Sequence, residues 1–168
     1  MVDNLSSTFI DSIKGILVFK IAGLDFCIDI EYVSSIITPQ DKSLLTIKNK
    51  PGNENIKVNE ETIPILNFHS MFGFKTPPED DNTRYVLLDF IKRKIAFMVD
   101  NIKEIISINK KTRDVLKYVP IEDKPYLIGK IIYEGQIILY PDLDKIIRDQ
   151  KSYRINSNRS RIDSKNKE

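Results

Sequence analysis

The sequence predicts a mainly β protein built from two related halves that share one core. Residues 16–37 align without a gap on residues 85–106, at a constant offset of 69 positions. A shorter repeat aligns IPILNFHSMF, which begins at Ile63, with ILYPDLDKII, which begins at Ile138. Many short apolar segments are separated by turn residues, a pattern typical of small barrels. We therefore expect two pseudo-symmetric β-barrels, with short helices at their junctions and a C-terminal helix.

The first half opens with two predicted strands. In residues 16–22 alternate side chains are large and apolar, which is the period of a strand. In the next strand Phe26 and Ile28 are expected to face the core, and Cys27 to face away from it. Beyond this strand the apolar residues recur three and four positions apart, which predicts a short helix or helical turn. The residues with this spacing are Ile30, Val33, Ile36 and Ile37.

The middle of the chain, residues 40–61, is its least regular part. Short strands are predicted near Leu45 and over residues 56–58. The strand over residues 62–66 contains Pro64, which must lie where no backbone donor is needed. The half then ends with a short helix and a polar linker, over residues 68–72 and 75–83.

The second half repeats this order of elements. It contains a hairpin, a stretch of helical spacing, a polar loop with one helical turn at residues 113–118, a second hairpin and a last helix. These segments cover residues 84–99, 100–108, 110–124, 126–140 and 143–149.

These elements form one predicted domain over residues 15–149, whose intertwined halves span about 15–74 and 84–149. Residues 1–14 are expected to be loosely ordered. Residues 150–168 form a basic tail that is predicted to be disordered, because its Ser, Asn, Lys and Arg side chains bury little apolar surface. The net charge of the whole chain is +2, and the tail alone carries +4, so the rest of the chain carries −2. So small a charge on the body does not indicate a nucleic-acid-binding surface.

The sequence lacks the residue sets that catalysis or metal binding would need. The single cysteine, Cys27, and the single histidine, His69, supply neither a zinc cluster nor a catalytic triad. Asp25 and Asp29 flank Cys27 and disfavour its thiolate, so we expect an unreactive thiol. His69 is interpreted as an ordinary polar residue of the short helix. We expect no enzymatic activity, no cofactor and no small-molecule substrate.

Cysteine content and hydropathy predict a cytoplasmic protein. A single cysteine forms no intramolecular disulfide, as is usual in a reducing compartment. No apolar run approaches the roughly 20 residues that span a bilayer, and the first residues do not resemble a secretory signal. We expect no direct insertion into a membrane.

Four segments, in the same order, resemble the chemotaxis coupling proteins of the CheW-like domain family. ILVFKIAGLDFCIDIEYVSSI is similar to that family's opening strand pair and its V-x-E-I element, and TIPILNFHSMFG to its I-P-V-x-D-L-x-x-x-x-G segment. YVLLDFIKRKIAFMVDNIKEI is similar to its strand pair ending in V-D-x-V-x-x-V, and YLIGKIIYEGQIILYPDLDKII to its closing hairpin and helix. The resemblance implies two SH3-like five-stranded barrels and a non-catalytic adaptor. It also implies that a chemoreceptor tip occupies an apolar groove between the barrels, and that the regulatory domain of a histidine kinase meets the adaptor barrel to barrel.

The resemblance also implies which residues bind partners. Val33 matches the valine of V-x-E-I, whereas Ser35 stands where the family has Glu. The family's G-V-x-N-L-R-G stretch aligns on ENIKVNE, which places Asn59 at its arginine and Glu60 at its second glycine. Asn lacks the fork-shaped donor of arginine, and Glu60 is expected to be unable to adopt the positive φ that glycine allows. The candidate partner-binding residues are Val33, Ser35, Ile36, Asn59 and Ile63.

Two interpretations remain open for these residues and for the whole chain. Val33, Ile36 and Ile63 either line the groove or are simply buried, and Asn59 is either a binding residue or part of a turn. The chain itself is either a coupling adaptor or a duplicated-barrel module that has exchanged its partners. A third possibility is a nucleic-acid-binding barrel protein that uses the basic tail.

Overall fold

A computed structural model describes residues 10–41, 45–48 and 54–150, with only the backbone described for 45–48. The remaining residues, which include most of the predicted N-terminal segment and the basic tail, lie outside this description. Besides the helical residues Ile10 and Asp11 at its start, the described chain forms twelve strands, three α-helices and one 3-10 turn at Ile30–Tyr32. The strands are β1 Gly15–Ile21, β2 Leu24–Asp29, β3 Val33–Ile37, β4 Leu45–Lys48, β5 Glu54–Val58, β6 Glu61–Leu66, β7 Arg84–Phe90, β8 Arg93–Val99, β9 Asn101–Ser107, β10 Lys117–Pro120, β11 Leu127–Tyr133 and β12 Gln136–Pro141. The helices are α1 Phe68–Met71, α2 Lys110–Val115 and α3 at 143–150.

The strands form two six-stranded sheets that exchange hairpins between the halves. Sheet A has the order β10-β11-β12-β2-β1-β9, and sheet B has the order β4-β5-β6-β8-β7-β3. Sheet A therefore combines the β1-β2 hairpin of the first half with four strands of the second half. Sheet B combines the β7-β8 hairpin of the second half with four strands of the first half. The prediction of a mainly β fold with two related parts is confirmed. Each sheet has one strand more than the five that the resemblance implies for each barrel.

The repeat extends to the register of the strands. Lys20 lies opposite Asp25 in the first hairpin, and the equivalent pair in the second hairpin is Asp89 opposite Lys94. The edge strands β3 and β9 each carry a bulge at the same repeat position, where Ser34 in β3 corresponds to Lys103 in β9. The two halves therefore share the same strand register and the same bulge position.

The two bulges explain why a helix was wrongly predicted at residues 30–37 and 100–108. Only Ile30–Tyr32 is helical; strand β3 forms the rest of the first segment, and strand β9 forms nearly all of the second. A bulge inserts one extra residue, so Val33 and Ile36, three positions apart, both lie opposite residues of the inter-sheet core. A bulged strand thereby imitates the spacing of a helix, and the many β-branched residues of both segments favour the strand.

Apolar residues fill three clusters, one between the sheets and one on the outer face of each sheet. The inter-sheet cluster includes Phe19, Phe26, Phe68 and Phe97, the outer cluster of sheet A includes Ile16 and Val18, and that of sheet B includes Ile56 and Ile63. Alternate side chains of β1 therefore enter two different cores. The central strands are buried on both faces, as their nearly continuous apolar sequences allow.

The burial of both faces makes the prediction for Cys27 wrong. Its side chain does not face solvent but is fully buried in the outer cluster of sheet A. Burial raises the pKa of the thiol far above its ordinary value, and the charge of Asp29 adds to this effect. The thiol is expected to be unreactive, as the sequence indicated, but mainly because of burial. Asp29 is itself buried.

Two other segments differ from their predictions. The expected polar loop at residues 110–124 contains helix α2 and strand β10. In β10 the Tyr118 ring packs closely on Gly129, where an added Cβ atom would come within 2.6 Å of the ring. Within the expected loosely ordered residues 1–14, Ile10 and Ile13 are buried in the outer cluster of sheet A. Both differences come from packing against distant strands, which local sequence does not reveal.

His69 is buried and bonded, unlike the ordinary polar residue that the sequence suggested. The residue is 1% exposed, and its Nε2 lies 2.7 Å from Oδ1 of Asp100. The other oxygen of Asp100 accepts a hydrogen bond of 2.8 Å from the backbone N–H of Ala22. Asp100 therefore joins helix α1 and the β8-β9 junction to the turn of the first hairpin.

Four hairpins close through two-residue turns in which both residues have positive φ. These turns are Ala22-Gly23, Asn59-Glu60, Ile91-Lys92 and Glu134-Gly135. The expectation for Glu60 is wrong, because this residue adopts a φ of +71° without being glycine. Positive φ at both positions is the geometry of a type I′ turn, in which glycine is favoured. The Asn59-Glu60 turn therefore carries backbone strain that its repeat equivalent, Glu134-Gly135, avoids at the second position.

Replacing Glu60 by glycine is expected to stabilise the protein by about 1 kcal/mol. The left-handed conformation costs an L-residue about 1–2 kcal/mol, and glycine avoids this cost. Part of the gain is lost because glycine is more flexible in the unfolded chain. Urea denaturation of the variant and the wild type measures the difference. The matched control is the reverse change at the repeat position, Gly135→Glu, where φ is +76° and an added Cβ meets no atom within 4 Å. It should destabilise by a similar amount. Stabilisation by both changes, or by neither, would contradict the strain argument.

A candidate protein-binding site at strand β3

Three of the candidate residues lie on the edge strand β3, but they face two different sides of the sheet. Val33 is opposite Leu88 and Ile36 is opposite Val86, and both partners belong to the inter-sheet core. Ser35 is opposite Leu87, which belongs to the outer cluster of sheet B. Side chains of directly opposite residues share a face, so Val33 and Ile36 lie on one face and Ser35 on the other. All three belong to the predicted set of partner-binding residues, and the structure places them on two faces of the sheet.

Val33 and Ile36 form a partly exposed apolar margin of the inter-sheet core. Val33 is half-buried and packs against that core, and Ile36 is 39% exposed. Their repeat equivalents in β9 are Ile102 and the more exposed Ile105. Both edge strands therefore present apolar side chains beside the space between the sheets.

Ser35, Asn59 and Ile63 are brought together on the other face of sheet B. They line one cavity of about 340 Å³. Ile63 is buried in its floor, whereas Asn59 lies in the exposed turn between β5 and β6. The rest of the lining comes from β3, β5, β6, β7 and β8, and consists of Ser34, Val58, Glu61, Leu87, Leu88, Asp89 and Lys94.

Charged side chains stand at the rim of this cavity. Lys94 Nζ lies 2.7 Å from Oε2 of Glu61, and Asp89 is opposite Lys94 in the β7-β8 hairpin. The hydrogen bond to Glu61 and the charge of Glu61 raise the pKa of Lys94, with a further contribution from Asp89. The rim therefore combines two acidic side chains with one lysine.

The bulge residue Ser34 leaves room beside this rim. Its hydroxyl donates a hydrogen bond of 3.1 Å to the backbone oxygen of Leu87, so the side chain is folded back onto the neighbouring strand. Sequence reasoning did not select Ser34, Glu61, Asp89 or Lys94. The repeat could have identified two of them, because the offset of 69 positions aligns Ser34 with Lys103 and Lys94 with Asp25, and so shows that the two halves carry different side chains at these positions.

The described residues offer little support for other kinds of site. None of their His, Cys, Asp and Glu side chains form a group of three that could hold a metal ion. Among the described helices, none has the length and apolar character needed to cross a bilayer. The apolar margin of β3 and the cavity lined by Ser35, Asn59 and Ile63 are surface features that suit contact with another protein.

A duplicated two-sheet fold with such an edge defines a protein-interaction module. The model of the CheW-like domain family matches residues 15–151, and the chain belongs to that family. Its fold is also similar to a solved structure, the scaffolding protein TtCheW from Thermoanaerobacter tengcongensis. The TM-score is 0.62 at 22% sequence identity, and the match covers 77% of this chain and 89% of TtCheW. No curated protein sequence matches the chain.

Membership in this family fixes the general class of function. The family consists of non-catalytic scaffold proteins, so the chain is not an enzyme but a scaffold of the chemotaxis type. This agrees with the sequence, in which no set of catalytic residues was found.

Proposed function

We propose that the protein is a cytoplasmic adaptor that couples the tip of a chemoreceptor to the regulatory domain of a histidine kinase. The observation that carries this proposal is the apolar margin formed by Val33 and Ile36 on the edge strand β3, beside the space between the sheets. An exposed apolar edge is the kind of surface that partner proteins cover. The resemblance assigns the groove between the two parts of the fold to the receptor tip.

The finer architecture is part of the same proposal. We propose that each sheet closes into an SH3-like barrel, and the cavity supports this for sheet B. Five of its strands, β3, β7, β8, β6 and β5, line that cavity together, so the sheet curves strongly around it. Such a barrel would offer the kinase regulatory domain a surface related to its own. The proposal requires no cofactor, nucleic acid or small-molecule substrate.

Replacing Val33 by aspartate is expected to weaken binding of a receptor tip by roughly tenfold to a hundredfold. A carboxylate would have to be buried in an apolar contact without a partner, at a cost of about 1–3 kcal/mol. Calorimetry with a helical-hairpin fragment of a chemoreceptor tip measures the affinity, and thermal unfolding checks that the variant is folded.

The matched control is Val115→Asp, because Val115 is 66% exposed and lies in helix α2, away from β3. It should bind as the wild type does. A folded Val33→Asp variant with wild-type affinity would remove the margin from the receptor site. A wild-type protein that retains neither the receptor tip nor the kinase regulatory domain would overturn the adaptor function itself.

A further inference from the structure

The two halves of the fold differ at their bulge position in a way that opens one cavity. In sheet A the bulge residue is Lys103, and its Nζ lies 2.8 Å from Oδ2 of Asp25 and 3.1 Å from Oε1 of Gln136. In sheet B the equivalent residue is Ser34, whose short side chain bonds to the backbone instead. The space that a lysine side chain occupies in sheet A corresponds to part of the 340 Å³ cavity in sheet B.

The charges around the two positions are also inverted. In sheet A two lysines surround one carboxylate, since Lys20 Nζ lies 3.0 Å from Oδ1 of Asp25, on the side opposite to Lys103. Burial raises the pKa of Asp25, but hydrogen bonds and charges from Lys103 and Lys20 outweigh this effect and hold it below its ordinary value. Each carboxylate oxygen of Asp25 therefore lies within ion-pair distance of a lysine of the same chain.

In sheet B the same positions hold two carboxylates and one lysine. Asp89 replaces Lys20, Lys94 replaces Asp25, and Glu61 replaces Gln136. Lys94 and Glu61 form an ion pair, so the rim keeps a net charge of −1. The cavity lacks the long side chain that Lys103 supplies in sheet A. Because Lys94 pairs with Glu61, Asp89 is the rim carboxylate left for a further cation.

We propose that a lysine or arginine side chain of the chemoreceptor tip enters this cavity beside Ser34. Its apolar stem lies over Ile63 and Leu87, and its cation meets Glu61 and Asp89 at the rim. The proposal rests on the adaptor function proposed above, and it adds a charged contact on the face of β3 opposite to Val33 and Ile36. A charged contact at a partly exposed rim mainly provides specificity, and it weakens as salt is added.

The direct test fills the cavity from within the chain. Ser34→Lys reproduces the residue found at the same bulge in sheet A, so we expect a folded protein whose thermal stability is not lowered. Its affinity for the receptor-tip fragment should fall at least tenfold. Ser107→Lys places the same charge on the exposed end of β9 and should leave affinity unchanged. A folded Ser34→Lys variant that binds the fragment as tightly as the wild type would overturn the proposal.

The second test identifies the cation on the partner. Each lysine and arginine of the receptor-tip fragment is changed to alanine in turn. One of these changes should reduce affinity as much as Ser34→Lys does, and combining it with Ser34→Lys or Glu61→Gln should produce little further loss. Losses that add fully for every lysine and arginine would show that no partner cation uses this cavity, and would overturn the proposal.

A third measurement separates this inference from the adaptor function. Amide spectra of the isolated protein are recorded with n-butylammonium, which resembles a lysine side chain, and with n-butyrate. The ammonium ion, and not the carboxylate, should shift the amides of Ser34, Ser35 and Asn59, and Ser34→Lys should abolish the shifts. Such shifts in a protein that binds no receptor tip would leave the cavity chemistry intact and overturn only the adaptor function. Equal shifts from both ions would overturn the cavity proposal.

Discussion

Replacing Phe97 by alanine is expected to lower the free energy of unfolding by about 3–5 kcal/mol, the usual cost of removing a buried aromatic ring. Phe97 is fully buried between the sheets. Its ring centroid lies 4.3 Å from that of Phe68 in a T-shaped arrangement and 5.2 Å from that of Phe19. The substitution therefore removes contacts to helix α1 and to both sheets at once.

Urea denaturation followed by circular dichroism measures this loss. Phe97→Leu keeps part of the volume and should lose less than the alanine variant, which gives a graded result if Phe97→Ala is largely unfolded. Ile137→Ala is the control, because Ile137 is 56% exposed, and it should change stability by about 1 kcal/mol or less. A loss at Phe97 no larger than that at Ile137 would mean that the inter-sheet core does not hold the two sheets together.

Replacing His69 by alanine is expected to destabilise the protein by about 2–4 kcal/mol. The change leaves a void at a buried position and removes one hydrogen-bond partner of the Asp100 carboxylate, and losing a bond to a charged group costs about 1.5–3 kcal/mol. The same denaturation assay at neutral pH measures the effect.

A double-mutant cycle with Asp100→Ala separates the bond from the void. The two residues are in contact at 2.7 Å, so the cycle should show a coupling energy of about 1–3 kcal/mol. A parallel cycle of His69→Ala with Lys75→Ala, an exposed residue, should show no coupling. Additive losses in the His69–Asp100 cycle would show that the histidine contributes only by filling space.

The duplicated β fold was predictable because its signal is repeated along the chain. The apolar runs at residues 16–22 and 85–90 follow from strands that bury side chains on both faces, and the constant offset shows that both copies keep the same pattern. The hairpins and the last helix were placed correctly for the same reason. Their turns and periods depend on local sequence, which is available without the structure.

The errors have a common cause in contacts between distant segments. The bulges at Ser34 and Lys103 changed the side-chain period, and nothing local distinguishes a bulged strand from a helical turn of that length. Cys27 was assigned to the wrong environment because the outer face of sheet A is covered by residues from the other half. Strand β10 forms through pairing with β11, which its own short sequence does not indicate.

The candidate site was only partly predictable. The resemblance selected Ser35, Asn59 and Ile63, and the structure shows that these three line one cavity. It also grouped Val33 and Ile36 with them, although these two residues face the opposite side of the sheet. Which face each residue occupies depends on the bulge, so the division of the site required the three-dimensional register.

The exchange of hairpins between the halves makes this chain the single-chain equivalent of a domain-swapped dimer. Each half gives its first hairpin to the other and receives the corresponding one, as two identical subunits do when they swap an element. In such a dimer every substitution occurs twice, once in each subunit. Once the two copies are joined in one chain, each can change alone, and one bulge can retain a lysine while the other becomes a serine. Joining the two copies in one chain therefore allows the two sheets, which would be identical in a symmetric dimer, to carry different side chains.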